Sequence, residues 1–484
     1  MNHSPVFSNS CTMAVFQVAI LWYYTASYKQ YEEEFEVKKA RYGSLTTMFC
    51  CAFAATFAYS GLAADVTFPN SDKSGDIASP TAWGGSLPVA TDRPYFLYNA
   101  SSPTYTASED VTFPGISLGS GTSVRTATFD MREEKSGSAT RTITLTDSIS
   151  NGVKKASAKF YGGIWNVDGG LSQHSENTFT VGGGAIMTFT GDYKQGGGGT
   201  TLKVDGSGTS ISFARSQFPR NSSSQHIIIT NGASMELTGG ANYSSVSGSY
   251  VSIGALAMSA DSNGASSRSV SVSGTGSTLS ITAYNTFAWV GGVTTGGGHK
   301  LTVSDGALYN SPGARLYVSS KGTGNNIVTV CDADSRMVVS NLVVGADNKE
   351  AGIDNCGDAL RILDGANVVA KANVTVQRGS TLAFGYPAGG FAANLVPLTA
   401  AGTLTVKPGC HVELSGIEER IAALEAGTTE IATLATAGTG ISIDADAIAA
   451  ANASLPEKCE LYVDGLSLKL KLAKSGSGLM IFVR

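Results

Sequence analysis

The stretch TFTVGGGAIMTFT at residues 178–190 decides the fold class of this chain. Apolar and polar residues alternate on both sides of a glycine-rich turn, and TLKVDGSGTSISF at residues 201–213 repeats the same order. Alternation with a period of two is typical of a strand with one buried face. Gly, Asp or Asn between two such runs supplies the backbone angles that a tight turn needs. The unit is therefore strand, turn, strand.

This unit recurs along most of the chain. Further copies are IIITNGASMELT (227–238), VSVSGTGSTLSIT (270–282), LTVSDGALY (301–309), IVTVCDADSRMVVS (327–340), LRILDGANVVA (360–370), VTVQRGSTLAF (374–384) and LTVKPGCHVEL (404–414). The residues that precede the turns are spaced by 23, 25, 43, 31, 27 and 32 positions, at Val181, Val204, Ile229, Val272, Val303, Val330 and Ile362. The longest gap holds another strand-like run, YVSIGALAMSA (250–260), which we interpret as an additional repeat.

Imperfect repeats of about 20–32 residues, each too small to bury its own apolar face, predict an all-β, right-handed parallel β-helix, or β-solenoid. A β-propeller needs blades of about 40–45 residues with a regular signature. A β-sandwich would not usually run this long without dividing into domains.

Composition excludes several other classes. Of 484 residues only 15% are charged, 58 are glycine and 42% are hydrophobic. A helical bundle, a coiled coil, collagen and wholesale disorder all require a different mixture. The net charge of −5 comes without any basic run, so we expect no nucleic-acid partner.

Residues 1–64 are interpreted as an N-terminal extension followed by a secretory signal peptide. The run TTMFCCAFAATFAYSGLAA at 46–64 is apolar and ends in small residues. Basic residues precede it at Lys38, Lys39 and Arg41. This order is typical of a signal peptide and predicts cleavage near Ala63 or Ala64, with a translation start downstream of the first methionine. A single transmembrane anchor is the alternative, since about 20 apolar residues suffice to span a bilayer.

The exported part divides into three regions. Residues 65–157 carry atypical, longer loops and are predicted to form an N-terminal cap with the first turns of the solenoid, because the open edge of a solenoid needs a cover. Residues 158–414 hold the repeats. Residues 415–484 are predicted to be a C-terminal cap, with two short helices and a hairpin-like pair of strands.

Four cysteines remain after the signal peptide: Cys331, Cys356, Cys410 and Cys459. An even number in an exported protein permits two disulfides with three possible connectivities. We favour Cys331–Cys356 and Cys410–Cys459, because the first separation is close to one repeat. The alternative is four buried free thiols. No pair has the spacing of a zinc or redox site, so no metal is expected.

Paired carboxylates are the best candidates for enzymatic chemistry. Asp332 and Asp334 lie two residues apart, which on a strand puts both side chains on one face, and Arg336 continues that row. Two carboxylates can act as general acid and base in glycoside hydrolysis, and an arginine can assist a lyase. The alternative, that CDADSR fills the turn of its repeat, is favoured, so no catalytic residue is assigned.

Other motifs give little chemistry. The glycine clusters lack the order of a phosphate-binding loop, the histidines are scattered, and the calcium-binding nonapeptide repeat is absent from the sequence. No cofactor is expected. Surface-binding aromatic residues are conceivable at Trp165, Tyr193, Tyr284, Trp289 and Tyr317, the alternative being that they pack in the core.

The pattern W-x-G-x-L-P-x-x-x-D, at Trp83, Gly85, Leu87, Pro88 and Asp92, stands ahead of the strand–turn–strand array. Together they resemble bacterial secreted β-helix proteins, specifically autotransporter passenger domains with autotransporter-associated β-strand repeats, over about residues 65–415. The resemblance implies an extracellular or surface role, often adhesive or structural. Autotransporters end in a membrane-spanning barrel of about 12 strands, which the 70 residues after 414 cannot supply, so no integral membrane barrel is expected in this chain.

These observations favour an exported, non-enzymatic β-solenoid that contacts an extracellular glycan or a cell-surface or matrix polymer. Rows of polar side chains on the outer faces suit weak multivalent contact. A polysaccharide lyase or glycoside hydrolase on the same fold is the first alternative, since a fold does not determine function. A self-assembling surface-layer component is the second.

Overall fold

The structure is a computed structural model. It describes residues 64–68, 74–89, 92–97, 102–119, 125–136, 140–151, 156–195, 198–217, 224–239, 256–258, 268–283, 286–291, 297–319, 324–345 and 357–474. The signal peptide predicted upstream of Ala64 lies outside these residues, as do Cys356 and Tyr284.

The described strands stack into three parallel ladders, which we call faces one, two and three. Face one contains thirteen strands: Gly75–Asp76, Thr104–Thr106, Arg125–Asp130, Ala156–Tyr161, Thr178–Gly182, Thr201–Asp205, Gln225–Thr230, Arg268–Ser273, Lys300–Ser304, Ile327–Val330, Ala359–Ile362, Thr381–Gly385 and His411–Ser415.

Faces two and three belong to one continuous sheet. Face two contains Val111–Phe113, Thr142–Leu145, Ile164–Val167, Ile186–Phe189, Ser210–Phe213, Ser234–Leu237, Thr278–Ile281, Asn367–Ala370, Leu398–Ala400 and Thr429–Ala437. Face three contains Ala64–Thr67, Asp92–Leu97, Ile116–Gly119, Ile149–Asn151, Leu171–Gln173, Tyr193–Gln195, Ser216–Gln217, Leu256–Met258, Thr286–Val290, Val374–Val376, Thr403–Val406 and Gly440–Ile443. Two long strands, Leu308–Val318 and Arg336–Val344, run from face two into face three.

A single coil shows how the chain visits the faces. From Thr178–Gly182 on face one it turns to Ile186–Phe189 on face two and continues to Tyr193–Gln195 on face three. It then returns to face one at Thr201–Asp205, which pairs in parallel with the strand one coil earlier. Each coil therefore covers the apolar inner edge of its neighbour.

The register of face one follows the repeat in the sequence. The turn-preceding residues pair with one another from coil to coil, and all are buried: Val181, Val204, Ile229, Val272, Val303, Val330 and Ile362. Buried and solvent-facing positions alternate along the strands, as the period of two predicts. The prediction of an all-β parallel β-solenoid is confirmed.

One predicted repeat is wrong. Ile229 pairs directly with Val272, so the 43-residue gap between them is a single long coil. Within the run at 250–260, Leu256–Met258 forms the face-three strand of that coil and does not begin a coil of its own. The extra length lies in the connections, which a solenoid accommodates without changing the register of its strands.

A column of buried polar side chains precedes the face-one strands. Its members, one from each of nine successive coils, lie just before the strand or at its first residue: Asn177, Thr200, Gln225, Arg268, His299, Asn326, Asp358, Ser380 and Cys410. Hydrogen bonds connect neighbouring coils: the backbone N–H of His299 donates to Asn326 Oδ1 at 3.2 Å, and Asn326 Nδ2 donates to Asp358 Oδ1 at 2.9 Å. These bonds satisfy the backbone N–H of His299 and the side-chain amide of Asn326, whereas His299 Nε2, Asp358 Oδ2 and Ser380 Oγ are buried with no hydrogen-bond partner among the described residues.

The first coils contain an aromatic core. Trp83 belongs to a 3₁₀ helix, Pro80–Trp83, and its Nε1 donates to the backbone oxygen of Ile77 at 2.9 Å. Its ring contacts three buried rings, Phe68, Phe96 and Phe113. The tryptophan of the W-x-G motif is therefore a packing residue that anchors the first coils.

Two of the three described α-helices and the antiparallel strands follow the last face-one strand. The α-helices of the described residues are Glu133–Ser136, Ile417–Ala423 and Ala445–Ala453. The strand Ser467–Ala473 pairs antiparallel with Thr429–Ala437 on one side and with Glu460–Asp464 on the other. The parallel stacking thus ends in an antiparallel sheet, and the hairpin-like pair that the sequence predicts is present at 460–473.

The predicted disulfides find no support. Three described cysteines carry free thiols: Cys331, Cys410 and Cys459. The Cys410–Cys459 bond is absent, because the Cys410 thiol is buried and donates to the backbone oxygens of Val376 at 3.3 Å and Gln377 at 2.8 Å. The Cys331–Cys356 pairing is unsupported, since Cys331 is free.

Candidate functional site

Three aromatic side chains meet on the outer side of face three. Phe287 and Trp289 alternate with the buried residues Thr286, Ala288 and Val290, so their rings face outward. The adjacent strand, Leu308–Val318, contributes Tyr317. We call Phe287, Trp289 and Tyr317 the aromatic platform.

The platform follows from strand register. Trp289 and Tyr317 are direct partners in the parallel ladder, and their rings stack with centroids 4.4 Å apart and planes inclined by 19°. The Phe287 ring lies 6.0 Å from that of Trp289 and 5.8 Å from that of Tyr317. All three side chains are partly exposed, so the stack is a contiguous apolar surface that solvent and ligands can reach.

An arginine borders the platform. Arg315 pairs with Phe287 in the ladder, and its guanidinium carbon lies 5.9 Å from the centroid of the Phe287 ring. This is within the range of a cation–π interaction. Arg315 is exposed, and among the described residues it has no carboxylate partner. The platform therefore combines flat apolar rings with one accessible cation.

Polar side chains continue the same row beyond Arg315. Asn341 is the ladder partner of Arg315, and its Oδ1 accepts a hydrogen bond from the backbone N–H of Asn373 at 3.2 Å. Asn373 Oδ1 in turn accepts from the backbone N–H of Thr403 at 2.8 Å. These bonds occupy both amide oxygens, so within the described residues the Nδ2 groups are left as donors toward solvent.

The other aromatic residues singled out in the sequence lie inside. Trp165 is fully buried, and its Nε1 donates to the backbone oxygen of Gly162 at 3.2 Å. Tyr193 is fully buried, bonds to Gln173 and accepts from Gln195 Nε2 at 2.6 Å; burial raises the pKa of its hydroxyl. Trp289 and Tyr317 are thus the members of that set that the structure brings together outside.

Phe287 was missed by the sequence analysis, although the signal was present. The stretch TFAWV at 286–290 alternates strictly, so Phe287 and Trp289 share a side of the strand. Which side faces out depends on the register with the neighbouring coil, because Ala and Thr fit either environment. The spacing of repeats alone does not give that register.

The paired carboxylates lie in a turn. Asp332 and Asp334 both have positive φ, 74° and 68°, in the connection between Ile327–Val330 and Arg336–Val344. Asp332 Oδ2 accepts from the backbone N–H of Asp305 in the preceding coil at 3.3 Å. Arg336 is the first residue of the face-two strand, so the three side chains do not share one strand. Their positions match the turn interpretation of CDADSR.

The neighbouring thiol is not activated. Burial and the adjacent carboxylate of Asp332 raise the pKa of the Cys331 thiol to about 12. A thiol with that pKa stays protonated at neutral pH and is a poor nucleophile. In the part of the chain that the structure describes, no group of three or more His, Cys, Asp or Glu side chains could hold a metal ion.

A shallow depression on another part of the surface is lined by glycines. Gly162 and Gly183 form part of its floor, and Arg132 lies at its side. The guanidinium of Arg132 makes two hydrogen bonds to Asp130, at 2.8 and 2.7 Å, and an ion pair with Glu134 at 3.3 Å. Its charge is therefore neutralised within the protein, and the depression offers no cation comparable to Arg315.

Comparisons with known proteins identify no relative. No protein family, no curated protein and no solved structure matches the chain. Over the described ranges, no helix combines the length and the apolar character needed to span a membrane. The functional argument therefore depends on the geometry of the site.

Proposed function

We propose that this protein is an exported, non-enzymatic β-solenoid that contacts extracellular glycans through the aromatic platform. The supporting observation is the stack of Trp289 on Tyr317, flanked by Phe287, on the outer side of face three. Export rests on the signal-peptide pattern, and the surface role on the resemblance to autotransporter passenger domains.

The physical basis is burial of apolar area against flat rings. A pyranose ring presents C–H groups on its faces and hydroxyl groups at its edge. The C–H face gains hydrophobic and dispersion energy on an aromatic ring, while the hydroxyl groups stay hydrated or bond to polar neighbours. Because Trp289 and Tyr317 stack on each other, each covers one face of its partner, and a sugar can pack against the exposed outer face and edges of the pair.

The polar row beyond the platform supports the same function. Successive coils lie about 4.8 Å apart, so side chains at one ladder position recur at short, regular steps along the solenoid. The amide Nδ2 groups of Asn341 and Asn373 stand at such steps after Arg315. A chain molecule with repeating hydroxyl groups can contact several of these positions at once, which raises its avidity without any single strong contact.

Glycan-array binding tests the proposal. The full chain is expected to bind a subset of glycans, and Trp289→Ala with Tyr317→Ala is expected to abolish that binding. Tyr462→Ala is a matched control, because Tyr462 is a partly exposed aromatic residue on the antiparallel strand Glu460–Asp464, away from the platform.

Two outcomes would contradict the proposal. One is undiminished binding by the double variant. The other is release of reducing sugars or unsaturated products from a bound polysaccharide, which would assign the protein to the enzymatic alternative.

A further inference from the structure

Among the outward positions of the described face-three strands next to the platform, Arg315 carries the single charge. The outward positions of the described strands from Thr286–Val290 to Thr403–Val406 are Phe287, Trp289, Arg315, Tyr317, Asn341, Val343, Asn373, Thr375, Thr403 and Thr405. These positions include no carboxylate. The whole chain carries a net charge of −5, so this surface differs in sign from the protein as a whole.

The environment of Arg315 presents its charge to a ligand. The guanidinium carbon lies 5.9 Å from the centroid of the Phe287 ring, within the range of a cation–π interaction. A guanidinium offers donors in a planar fork that matches the two oxygens of a carboxylate. Preorganisation on a ring lowers the entropy lost when such a pair forms.

The neighbours of Arg315 in the ladder also offer hydrogen-bond donors to a ligand. Asn341 follows it in the ladder, and Asn373 follows Asn341; the amide oxygens of both are occupied by backbone N–H groups. The free groups along this row are therefore a guanidinium and then two amide donors. A ligand that matches the row carries a negative charge next to its stacking ring and oxygen acceptors beyond it.

We infer that the platform recognises an acidic glycan, with a uronate ring packed against the exposed part of the Trp289–Tyr317 stack and its carboxylate paired with Arg315. This inference rests on the proposed function and adds the chemical class of the ligand. The neighbouring sugars extend along the solenoid axis toward Asn341 and Asn373. Positive charge beside the platform selects the uronate over the corresponding neutral sugar.

The test compares two probes that differ in charge and by one methyl group at each carboxyl. They are a hyaluronan octasaccharide and the same octasaccharide with its carboxylates converted to methyl esters, titrated calorimetrically into the full chain. We expect the acid to bind at least about tenfold more tightly than the ester, because a hydrogen bond to a charged group contributes more than one to a neutral group. Added salt should weaken the binding of the acid and leave that of the ester unchanged.

The variants separate the two claims. Arg315→Gln should lower the affinity for the acid about tenfold and leave the affinity for the ester unchanged. Arg315→Lys should lie between, since it keeps the charge and loses the fork. Trp289→Ala should weaken both probes. Arg315 is exposed, so melting temperatures of its variants should match that of the parent chain.

Each remaining outcome decides against one claim. Equal affinity for acid and ester, unchanged in Arg315→Gln, overturns the acidic preference and leaves glycan contact standing. Undiminished binding of both probes by Trp289→Ala overturns the platform itself. Poly-glutamate that binds as tightly as the octasaccharide overturns the glycan assignment in favour of an acidic protein segment. Failure of both probes to bind contradicts the acidic preference, while the glycan array still tests the proposed function.

Discussion

The solenoid carries one aromatic stack inside face one and another outside face three, with similar geometry but different consequences for the molecule. Inside, Phe160 stacks on Phe129 with centroids 4.8 Å apart and planes inclined by 7°, and the Trp165 ring contacts both. Outside, Trp289 stacks on Tyr317 at 4.4 Å and 19°. In-register parallel strands place like residues next to one another on either side. The side therefore decides whether a stack supports the fold or remains open to a ligand.

The largest effect is expected at the inner stack. Trp165→Ala removes a fully buried indole and leaves a cavity against Phe129 and Phe160, so the free energy of unfolding should fall by about 3–5 kcal/mol. Urea unfolding followed by circular dichroism measures the change. Trp165→Phe, which keeps most of the packing, should lose distinctly less. A loss below about 1 kcal/mol for the alanine variant would contradict the inner position of this ring.

The buried polar column allows the same comparison for ionisable side chains, because burial shifts the pKa values of two of its members. Burial raises the pKa of Asp358 to about 7 from 3.8, while burial and the nearby Arg268 lower that of His299 to about 3 from 6.5. Between pH 4 and 6.5 the folded chain keeps a proton on Asp358 that the unfolded chain has lost, so this group makes stability fall as pH rises. His299 makes stability rise with pH over the same range, since only the unfolded chain binds a proton at this residue there.

Replacing either residue should leave the contribution of the other to the pH dependence of stability unopposed. In the parent chain the two contributions oppose each other between pH 4 and 6.5. Asp358→Asn keeps an acceptor for Asn326 and should make stability rise with pH over that range, by on the order of 2–3 kcal/mol relative to the parent. His299→Gln should make it fall by a similar amount. Urea midpoints at half-unit pH intervals measure both slopes, and slopes of the same sign would refute the opposition.

Much of the fold could be predicted from the sequence because each coil buries the same positions. Val181 and its equivalents identified the inner row of face one directly, and the helices and hairpin of the C-terminal region followed from period and turn residues. The 43-residue gap before Val272 misled the repeat count, since connections of any length can leave the strand register intact. Cys410 was predicted to form a disulfide with Cys459 because an even number of cysteines permits two bonds, whereas its thiol donates to the backbone of the preceding coil.

The candidate site was only partly predictable for a related reason. Aromatic residue type does not distinguish Trp165 from Trp289, because both occupy short strands whose side chains point alternately inward and outward. The distinction depends on which of the two alternating sets of side chains on a strand faces the core. Cross-strand partners several tens of residues away in the sequence determine this. Phe287 and Arg315 became recognisable as parts of a surface only once the pairing of their strands was known.

The smallest stability effect is expected at the outer stack, and it makes the sharpest contrast with Trp165. Trp289→Ala removes the same residue type from the outer side of the solenoid, where no cavity forms, so the loss should be only about 0.5–1.5 kcal/mol. A double-mutant cycle with Tyr317→Ala isolates the interaction between the two rings, and a coupling within that range is expected. The cycle should also be insensitive to Tyr462→Ala, a partly exposed residue elsewhere on the surface. A loss at Trp289 as large as that at Trp165 would mean that the outer rings support the fold, and a surface that the fold requires is less free to serve as a binding platform.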